Sequence, residues 1–364
     1  MRVLIAPDKF AGTLTAPQAA DAIAEGWRRV AAEDDLDLAP LSDGGPGFVD
    51  VIHAARPGDL VPLTVTGPLG DPVPAAFLLD GDTAYLEAAQ ACGLHLVLED
   101  RRDPERMTTR GVGELLAGAA DAGARRLVIG LGGSATNDGG AGMLAALGAT
   151  LYPHPASARD LAYVESVDLS PAAARLAGCA LVVASDVDNP LLGIQGASAV
   201  FGPQKGADRE RIVRLDAALA RWAEVSGGDP EAPGAGAAGG LGFGLGLLGA
   251  TRVPGIETVL DLTGIPARVA ESDLVLTGEG AFDASSLRGK VVAGVARSAA
   301  DRARPCLVLA GRVDVGRQQI AAAGVSAAYA VVDTVADPAQ ALDRPDRRLA
   351  DLAAVVAGQW ARRL

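Results

Sequence analysis

Residues 127–147 read LVIGLGGSATNDGGAGMLAAL, and this stretch joins an apolar run to a helical pattern through a glycine-rich turn. The run Leu127–Leu131 predicts a buried strand, and residues from about Gly140 to Leu147 predict a helix. The turn between them combines glycines with short polar side chains. A buried strand followed by a tight turn and a helix is the building unit of parallel α/β sheets.

The same alternation of strand and helix patterns extends along the chain. Further strands are predicted at Val3–Ala6, Leu36–Leu41, Ala180–Ala184, Leu274–Leu276, Leu307–Ala310 and Ala328–Val332. Further helices are predicted at Pro17–Ala31, Gly111–Ala122, Asp208–Val225, Val291–Arg302 and from about Pro338 to the end. Residues 60–88 contain the turn signals GPLGDP and DGD and predict antiparallel strands. Residues 234–249, GAGAAGGLGFGLGLLG, predict a tightly packed helix or a loop followed by a helix.

Composition limits the classes of partner and compartment. The 364 residues suffice for two domains, and the formal net charge of −13 disfavours binding to nucleic acid or to anionic membrane. No apolar run approaches the roughly 20 residues of a membrane helix. Cys92, Cys179 and Cys306 are widely spaced, which argues against a disulfide framework. We therefore expect a cytoplasmic protein whose oligomeric state the sequence leaves open.

Acidic residues follow the predicted strands, in most cases beside glycine. In open α/β sheets ligands bind beyond the carboxyl ends of the strands, and glycine lets backbone N–H groups approach a phosphate closely. Carboxylates can hold Mg²⁺ or accept a proton from an attacking hydroxyl group, which are tasks that phosphoryl transfer requires. The acidic residues concerned are Asp8, Asp43, Asp138, Asp186, Asp188, Glu279 and Asp283, and the amide of Asn137 precedes Asp138.

Basic side chains complete this pattern. The chain has only three lysines, Lys9, Lys205 and Lys290, and all lie in turns that contain glycine or proline. A lysine ammonium is a compact charge suited to phosphate, and Arg110 is a further candidate. No P-loop motif is present, because the nearest Gly-Lys pair, Gly289–Lys290, is followed by valine.

Other chemistries find less support in the sequence. The three histidines are isolated, and neither HExxH nor GxSxG occurs. Residues 130–135, GLGGSA, fit the G-x-G-x-x-A pattern of an NAD(P)-binding turn, but the acidic residue expected about 20 residues later is absent. An NAD(P)-dependent oxidoreductase and a non-catalytic metabolite-binding protein stay open as alternatives.

Several long stretches resemble the type I glycerate kinase family of bacteria. GLGGSATNDGGAGMLAALGA (130–149) and SDVDNPLLGIQGASAVFGPQKGA (185–207) are the most specific. The others occur in the same order as in the family: APDKFAGTLTA (6–16), TGPLGDPV (66–73), MTTRGVGELL (107–116), PGAGAAGGLGFGL (233–245) and LTGEGAFDASSLRGKVVAGVA (276–296). The resemblance covers almost the whole chain.

The resemblance implies a kinase that transfers the γ-phosphoryl group of ATP to D-glycerate, with Mg²⁺ as cofactor and 2-phosphoglycerate as product. It also implies two α/β domains, with a ligand site in the cleft between them. One domain is flavodoxin-like, discontinuous and built on a parallel sheet, and we expect it to comprise residues 1–64 and 290–364. The other is an inserted domain with a mixed sheet, which we expect to comprise residues 65–289.

The family's activity suggests a role for each candidate residue. The glycine-rich turn would bind an anionic group, either triphosphate or carboxylate, through the backbone of residues 132–134 and of Gly139 and Gly140 and through the side chains of Ser134 and Asn137. Asp186 is our first candidate for the base that accepts the acceptor's proton, and Asp283 is the second. Further roles are charge stabilisation by Lys9, Lys205 and Lys290, carboxylate binding by Arg110, Mg²⁺ binding by Glu279 with Asp186, and a polar lining from Asp8, Asp43 and Asp138.

Some positions depart from the family pattern. DGGEGT is replaced by DGGPGF, which introduces Pro46 and Phe48, while Ala11 and Ala281 replace a lysine and an arginine. These changes remove polar groups that the family carries. A related hydroxy acid or sugar acid is therefore an alternative acceptor.

Overall fold

A computed structural model describes residues 1–10, 12–155, 157–287, 289–337 and 341–361. Its strands are Arg2–Ile5 (β1), Asp35–Leu38 (β2), Asp59–Thr66 (β3), Pro72–Asp80 (β4), Thr83–Glu87 (β5), Arg126–Gly130 (β6), Thr150–Tyr152 (β7), Ser166–Asp168 (β8), Ala180–Ala184 (β9), Thr251–Val253 (β10), Leu274–Phe282 (β11), Cys306–Val313 (β12) and Ala327–Ala330 (β13).

The α-helices are Ala16–Arg28 (α1), Phe48–Ala55 (α2), Ala89–Cys92 (α3), Arg110–Asp121 (α4), Ala141–Ala146 (α5), Ser170–Arg175 (α6), Ala197–Phe201 (α7), Arg209–Ser226 (α8), Ala237–Leu247 (α9), Gly255–Leu262 (α10), Ile265–Ala270 (α11), Val291–Ala300 (α12), Arg317–Ala322 (α13) and Pro345–Trp360 (α14). Short 3-10 helices lie at Leu94–Leu96, Glu99–Arg101, Ala158–Tyr163, Pro203–Lys205 and Val331–Thr334. The chain forms two compact units, Met1–Asp43 with Ile256–Leu364 (unit 1) and Gly44–Gly255 (unit 2).

Unit 1 is built on a parallel five-stranded sheet in the order β13-β12-β11-β1-β2. Helices α1 and α14 pack together, and their apolar faces bury Ile23, Trp27 and Val356. Helix α1 starts at a capping box, in which Thr15 Oγ1 accepts the Gln18 N–H and Gln18 Oε1 accepts the Thr15 N–H. The start of α1 therefore follows from its local sequence, as predicted.

Unit 2 contains a mixed six-stranded sheet in the order β10-β9-β6-β5-β4-β3. Strands β3, β4 and β5 are antiparallel, whereas β5, β6, β9 and β10 are parallel. A separate antiparallel pair joins β7 to β8. The core of the unit includes the fully buried Leu144, Leu219 and Trp222. The predicted α/β class, with one parallel and one mixed sheet, is confirmed.

The unit boundaries differ from those expected from the sequence. They fall at 43/44 and 255/256, whereas the sequence placed them at 64/65 and 289/290. Strand β3 pairs with β4 over Asp59–Thr66, and this pairing brings the segment before residue 65 into unit 2. Strand β11 lies between β1 and β12, and this brings the segment before residue 290 into unit 1.

Two element predictions were wrong by several residues at one end. Strand β11 continues to Phe282 instead of ending at Leu276, because it stays paired with β12 as far as Phe282. The last helix begins at Pro345, and Pro338, where we expected it to begin, lies outside the described residues. The stretch 237–247 forms α9, and its residues 238–240 have left-handed backbone angles, which agrees with the predicted loop followed by a helix.

Candidate active site

The carboxyl ends of three neighbouring strands in unit 1 carry acidic residues. Asp8 follows β1, Asp43 follows β2, and Glu279 lies within β11. The Asp8 N–H donates to the Gly278 carbonyl oxygen at 2.8 Å, which holds the residue beside the adjacent strand. Asp8 and Glu279 are buried. The sheet order therefore assembles carboxyl groups that are distant in sequence, as the acidic residues after the strands predict.

Lys9 lies between two of these carboxyl groups. Its Nζ is 3.5 Å from Asp8 Oδ1 and 3.5 Å from Asp43 Oδ1. Burial lowers the pKa of Lys9, but attraction to Asp43 and Asp8 outweighs burial, so its pKa is raised and the amine stays charged. Burial raises the pKa of Asp8 to about 6 despite the opposing charge of Lys9, and the nearby Asp43 adds to the rise.

Glu279 is a buried carboxyl group with unused hydrogen-bonding capacity. Its Oε1 is buried, and no hydrogen-bond partner for it lies in the part of the chain that the structure describes. Burial raises the pKa of Glu279 to about 7, and the charge of Asp8 adds to the rise although Ser286 opposes it. An orphaned carboxylate oxygen near a second carboxyl group suits a hard cation such as Mg²⁺.

The described ranges contain no group of three or more His, Cys, Asp or Glu side chains that could hold a metal ion. Mg²⁺ commonly uses one or two protein carboxylates and completes its octahedron with water and substrate phosphates. The environment of Glu279 fits that mode rather than a cage made only of protein ligands. Asp186, the other predicted Mg²⁺ ligand, belongs to unit 2.

Asp283 and Lys290 lie further along unit 1 and are joined through Ser285. Asp283 Oδ1 accepts from the Ser285 N–H at 2.7 Å and from Ser285 Oγ at 2.6 Å. The Ser285 hydroxyl is the main reason that the pKa of Asp283 is lowered, so the carboxylate is ionised and weakly basic. Lys290 Nζ donates to Ser285 Oγ at 3.0 Å. These contacts hold the Asp283 carboxylate in place and make it a weak proton acceptor.

The glycine-rich turn of unit 2 lies over a buried lysine. Lys205 is 1% exposed, and its Nζ donates to the Thr136 carbonyl oxygen at 2.7 Å and to Ser134 Oγ at 3.2 Å. No carboxylate in the described part of the chain forms an ion pair with Lys205. Burial lowers its pKa to about 8. The sequence indicated a lysine for phosphate charge, and the structure places its amine beneath the turn.

Three consecutive backbone N–H groups of the turn are unused. The N–H groups of Gly132, Gly133 and Ser134 have no hydrogen-bond acceptor among the described residues, and Gly133 is exposed. By contrast, the Ala135 N–H donates to the Cys92 carbonyl oxygen at 2.7 Å. Free N–H groups above a buried ammonium create a positive local potential that attracts an anion.

Close backbone packing is a second reason for the glycines of this turn. A Cβ at Gly132 would lie 2.7 Å from Gly45 Cα, and a Cβ at Gly139 would lie 2.6 Å from the Trp222 ring. From the sequence we expected the glycines to let a ligand approach the backbone closely. In the structure, neighbouring parts of unit 2 already require small residues at these two positions.

Asn137 and Asp138 are buried and hold the turn in place. Asn137 Nδ2 donates to Ser198 Oγ at 2.9 Å. Asp138 Oδ2 accepts from the Thr109 N–H at 2.8 Å, from Thr109 Oγ1 at 2.9 Å and from the Gly142 N–H at 3.2 Å, and Oδ1 accepts from the Gly140 N–H at 3.2 Å. These bonds satisfy donors near the starts of α4 and α5. Direct ligand contact by Asn137 or Asp138 stays a prediction.

Asp186 and Arg110 are more accessible residues of unit 2. Asp186 follows β9, is half-buried, and accepts the Gly255 N–H at Oδ1 over 2.9 Å. Arg110 is the first residue of α4, and its Nε lies 3.2 Å from Glu114 Oε1. Both side chains can contact a ligand without a rearrangement of the core.

Glu87 is a buried acid that the sequence argument missed. It ends β5, and its Oε2 accepts the Gly47 N–H at 2.9 Å, just before α2. Burial raises the pKa of Glu87 to about 7, although backbone N–H groups from Gly47 to Val49 oppose the rise. The signal was present, because Glu87 ends an apolar run, but the antiparallel interpretation of residues 60–88 concealed that β5 also pairs in parallel with β6.

Two of the substituted positions are packed within unit 2. Phe48 begins α2 and is fully buried, and it lies close to Gly130. Pro46 lies next to Gly133, because a Cβ on this glycine would be 2.9 Å from Pro46 Cδ. Ala281 is half-buried in β11, and Ala11 lies outside the described residues. Phe48 therefore adds an apolar side chain to the core at a position where the family pattern has threonine.

Both units have the α/β architecture of many enzymes of small molecules, and the basic groups described above suit an anionic ligand. The sequence contains no P-loop. Comparison with known proteins identifies the family. Residues 3–361 match the glycerate kinase family, and the chain belongs to it. No described helix has the length and apolar character needed to cross a membrane.

Individual relatives agree with the family assignment. The chain is 43% identical over 345 residues to a glycerate kinase of Bacillus subtilis, with 91% of this chain and 90% of that protein aligned. It is 41% identical over 352 residues to the glycerate 2-kinase of Escherichia coli, with 92% and 91% aligned. A crystal structure from Salmonella typhimurium LT2, described as a candidate glycerate kinase 2, superposes with a TM-score of 0.78 at 40% identity and covers 99% of this chain and 98% of that one.

Proposed function

We propose that this protein transfers the γ-phosphoryl group of ATP to D-glycerate and releases 2-phosphoglycerate and ADP. The observation that carries the proposal is the turn of unit 2, where the free N–H groups of residues 132–134 lie above the buried Lys205. This arrangement suits a phosphate or carboxylate group. Family membership supplies the reaction class, and the turn supplies a place for the charge.

In the proposed reaction an acceptor hydroxyl oxygen attacks the γ-phosphorus while the bond to the β,γ-bridging oxygen breaks. Asp186 accepts the hydroxyl proton, and ADP leaves with the bridging oxygen. Asp186 suits this role because Oδ1 is oriented by the Gly255 N–H. Lys9 and Lys205 stabilise phosphate charge, the latter from beneath the turn, and Arg110 binds the acceptor carboxylate.

Mg²⁺ is part of the proposal. Glu279 would hold it through the orphaned Oε1, with Asp8 nearby. When bound, the ion would neutralise phosphate charge during transfer. Lys290 and Asp43 would add charge and polar contacts in unit 1. A cytoplasmic location also belongs to the proposal, and all three cysteines are unpaired, consistent with a reducing compartment.

A related hydroxy acid is the second candidate acceptor. The reason to test it is that Pro46 and Ala281 replace polar residues of the family pattern. The direct experiment is a coupled ADP-release assay with D-glycerate and a panel of hydroxy acids and sugar acids. The position of the phosphate is then read by NMR. We expect D-glycerate to be phosphorylated at the 2-hydroxyl, and a higher kcat/KM for another acid would replace it as the acceptor.

Replacement of the proposed base tests the mechanism. Asp186→Asn keeps an oxygen that can accept the Gly255 N–H, so the fold is expected to persist. Turnover is expected to fall by about 10²–10⁴-fold, the range for loss of a general base. Asp188→Asn is the matched control, because Asp188 is exposed and pairs with Arg252. Near-normal turnover of Asp186→Asn would exclude Asp186 as the base.

A further inference from the structure

Unit 2 contains a cavity of about 430 Å³, and its lining includes Arg110, the residue proposed above to bind the acceptor carboxylate. We propose that this cavity binds the oxyanion of a small ligand through Arg106, Arg110 and His154. The oxyanion is either the carboxylate of an organic acid or a phosphate group of a nucleotide. The inference extends the proposed function. It rests on that function only where it names an organic acid and a nucleotide as the two sources of the oxyanion.

Four sequence stretches line this cavity. They contribute residues 66–70 of TGPLGDPV, residues 106–110 around MTTR, residues 138–145 from the end of the glycine-rich turn into α5, and His154 with residues 155, 157, 158 and 161. The first two are fixed to one another by the Thr108 N–H, which donates to the Pro68 carbonyl oxygen at 3.0 Å. The β3–β4 connection is also closed internally, since the Gly67 N–H donates to the Asp71 carbonyl oxygen at 2.7 Å. The wall is thus held by backbone contacts and does not depend on flexible side chains.

The charges around the cavity favour an anion. Arg106 is exposed and has no ion pair within the described ranges, and Arg110 shares its charge with Glu114 at 3.2 Å. His154 adds an imidazole that can donate a hydrogen bond. The acidic lining residue is Asp138, and its oxygens already accept hydrogen bonds from Thr109, Gly140 and Gly142. The guanidinium group of Arg106 is therefore available to an incoming oxyanion. Its planar fork of N–H donors can bind a carboxylate or a phosphate through two parallel hydrogen bonds.

The size of the cavity agrees with a small ligand. Binding sites for small molecules typically have volumes of about 300–1,000 Å³. A three-carbon acid would leave room for ordered water molecules, whereas part of a nucleotide would fill the cavity without them. Ala141 and Ala145 of α5 contribute small apolar lining. The polar wall of the cavity therefore combines basic side chains with the hydroxyl groups of Thr66, Thr108 and Ser157.

Calorimetric titration of the full-length protein distinguishes the two sources. D-Glycerate, ATP and inorganic phosphate are titrated separately into the wild type and into Arg106→Gln and Ala145→Leu. Arg106→Gln removes the charge at an exposed position, and Ala145→Leu fills the cavity from a helix that tolerates leucine. The control is Arg317→Gln, an exposed arginine of unit 1 without an ion pair in the described residues. Circular dichroism and the melting temperature verify that each variant is folded.

We expect both cavity variants to weaken one ligand at least tenfold and the control to change all affinities less than twofold. A loss confined to D-glycerate assigns the cavity to the acceptor carboxylate, and a loss of ATP and phosphate binding assigns it to the nucleotide. Unchanged affinities in a folded Arg106→Gln variant would overturn the proposal. ADP release by the wild type is measured in parallel, so an inactive protein that still binds in the cavity would contradict the proposed function alone.

Discussion

Lys205 is fully buried, yet no carboxylate among the described residues pairs with its ammonium group. A fully buried ammonium group normally has a carboxylate partner, because removing a charge from water is costly. Here Nζ has a backbone carbonyl and a hydroxyl as partners, and burial lowers the pKa to about 8. Such an arrangement costs stability in the free protein. We infer that the cost is retained because the positive charge assists anion binding at the turn of residues 132–134.

Lys205→Met tests this role at similar side-chain length. The Thr136 carbonyl loses its donor, which costs about 1–3 kcal/mol, but the buried charge also disappears and offsets part of that cost. We therefore expect a folded variant whose melting temperature changes little and whose KM for the anionic ligand at the turn rises at least tenfold. Ser134→Ala, which removes only the weaker contact, is expected to lie between the wild type and Lys205→Met. Wild-type kcat and KM in a folded Lys205→Met variant would contradict a role in binding.

At the scale of elements, the start of α9 supports the glycine-rich turn. Residues 238–240 have φ values of 52°, 70° and 85°, so the chain passes through left-handed angles before the regular helix. This bend brings the Gly239 carbonyl oxygen within 3.1 Å of the Gly139 nitrogen. Two glycine-rich segments that are 100 residues apart thus support each other through backbone contact.

Gly239→Ala should disrupt this contact. A Cβ at Gly239 would lie 1.9 Å from the Thr136 carbonyl oxygen, and its φ of +70° is unfavourable for alanine. We expect a loss of at least about 2 kcal/mol in the free energy of unfolding and a large loss of turnover. Thermal unfolding and the ADP-release assay measure these effects.

Gly246→Ala is the matched control in the same helix. A Cβ there has no heavy atom within 4 Å, and alanine favours helix by about 0.5–1 kcal/mol. This variant should be at least as stable as the wild type. Equal stability of the two alanine variants would show that the left-handed bend does not support the turn.

At the scale of the whole molecule, the sequence predicted which segments form strands and helices better than it predicted the residues at which these begin and end. Apolar runs identified β1, β6 and β9, because most residues of these strands are buried and few are polar. The limits depended on pairing between distant segments. No local signal shows that β11 continues through Gly278–Phe282, since only its pairing with β12 keeps this polar stretch extended.

The candidate site was predictable to a similar degree. Acidic residues after strands correctly indicated that Asp8 and Asp43 lie at the carboxyl edge of one parallel sheet, whereas Asp186 follows β9 in the separate sheet of unit 2 and its role stays a prediction. The burial of Lys205 and the hydrogen bonds that occupy Asp138 could not be read from the sequence. Both depend on how the turn folds back onto α4 and the segment after α7. Glu87 was missed for the same reason, because its importance comes from the helix start that it contacts.

Buried carboxyl groups in both units are expected to make the stability of the folded protein depend on pH. Burial raises the pKa of Asp8 to about 6 and the pKa values of Glu87 and Glu279 to about 7, and it also raises the pKa of Asp138. A group with a raised pKa binds protons more tightly in the folded state, so its contribution to stability is present at low pH and is lost as pH rises through the folded pKa. Burial lowers the pKa of His95, which acts in the opposite direction near pH 6.5.

We therefore expect the melting temperature to fall between pH 4.5 and pH 7.5, and Glu87→Gln tests the cause. An upward shift from 4.5 to about 7 corresponds to roughly 3 kcal/mol of lost stability for Glu87 once it is ionised. Glutamine keeps an oxygen for the Gly47 N–H but cannot ionise, so the variant should lose less stability over this range and should equal or exceed the wild type at pH 8. Differential scanning calorimetry at pH 5, 6, 7 and 8 measures both profiles. A wild-type melting temperature that rises over this range, or parallel profiles for the two proteins, would mean that the buried carboxyl of Glu87 does not carry this pH dependence.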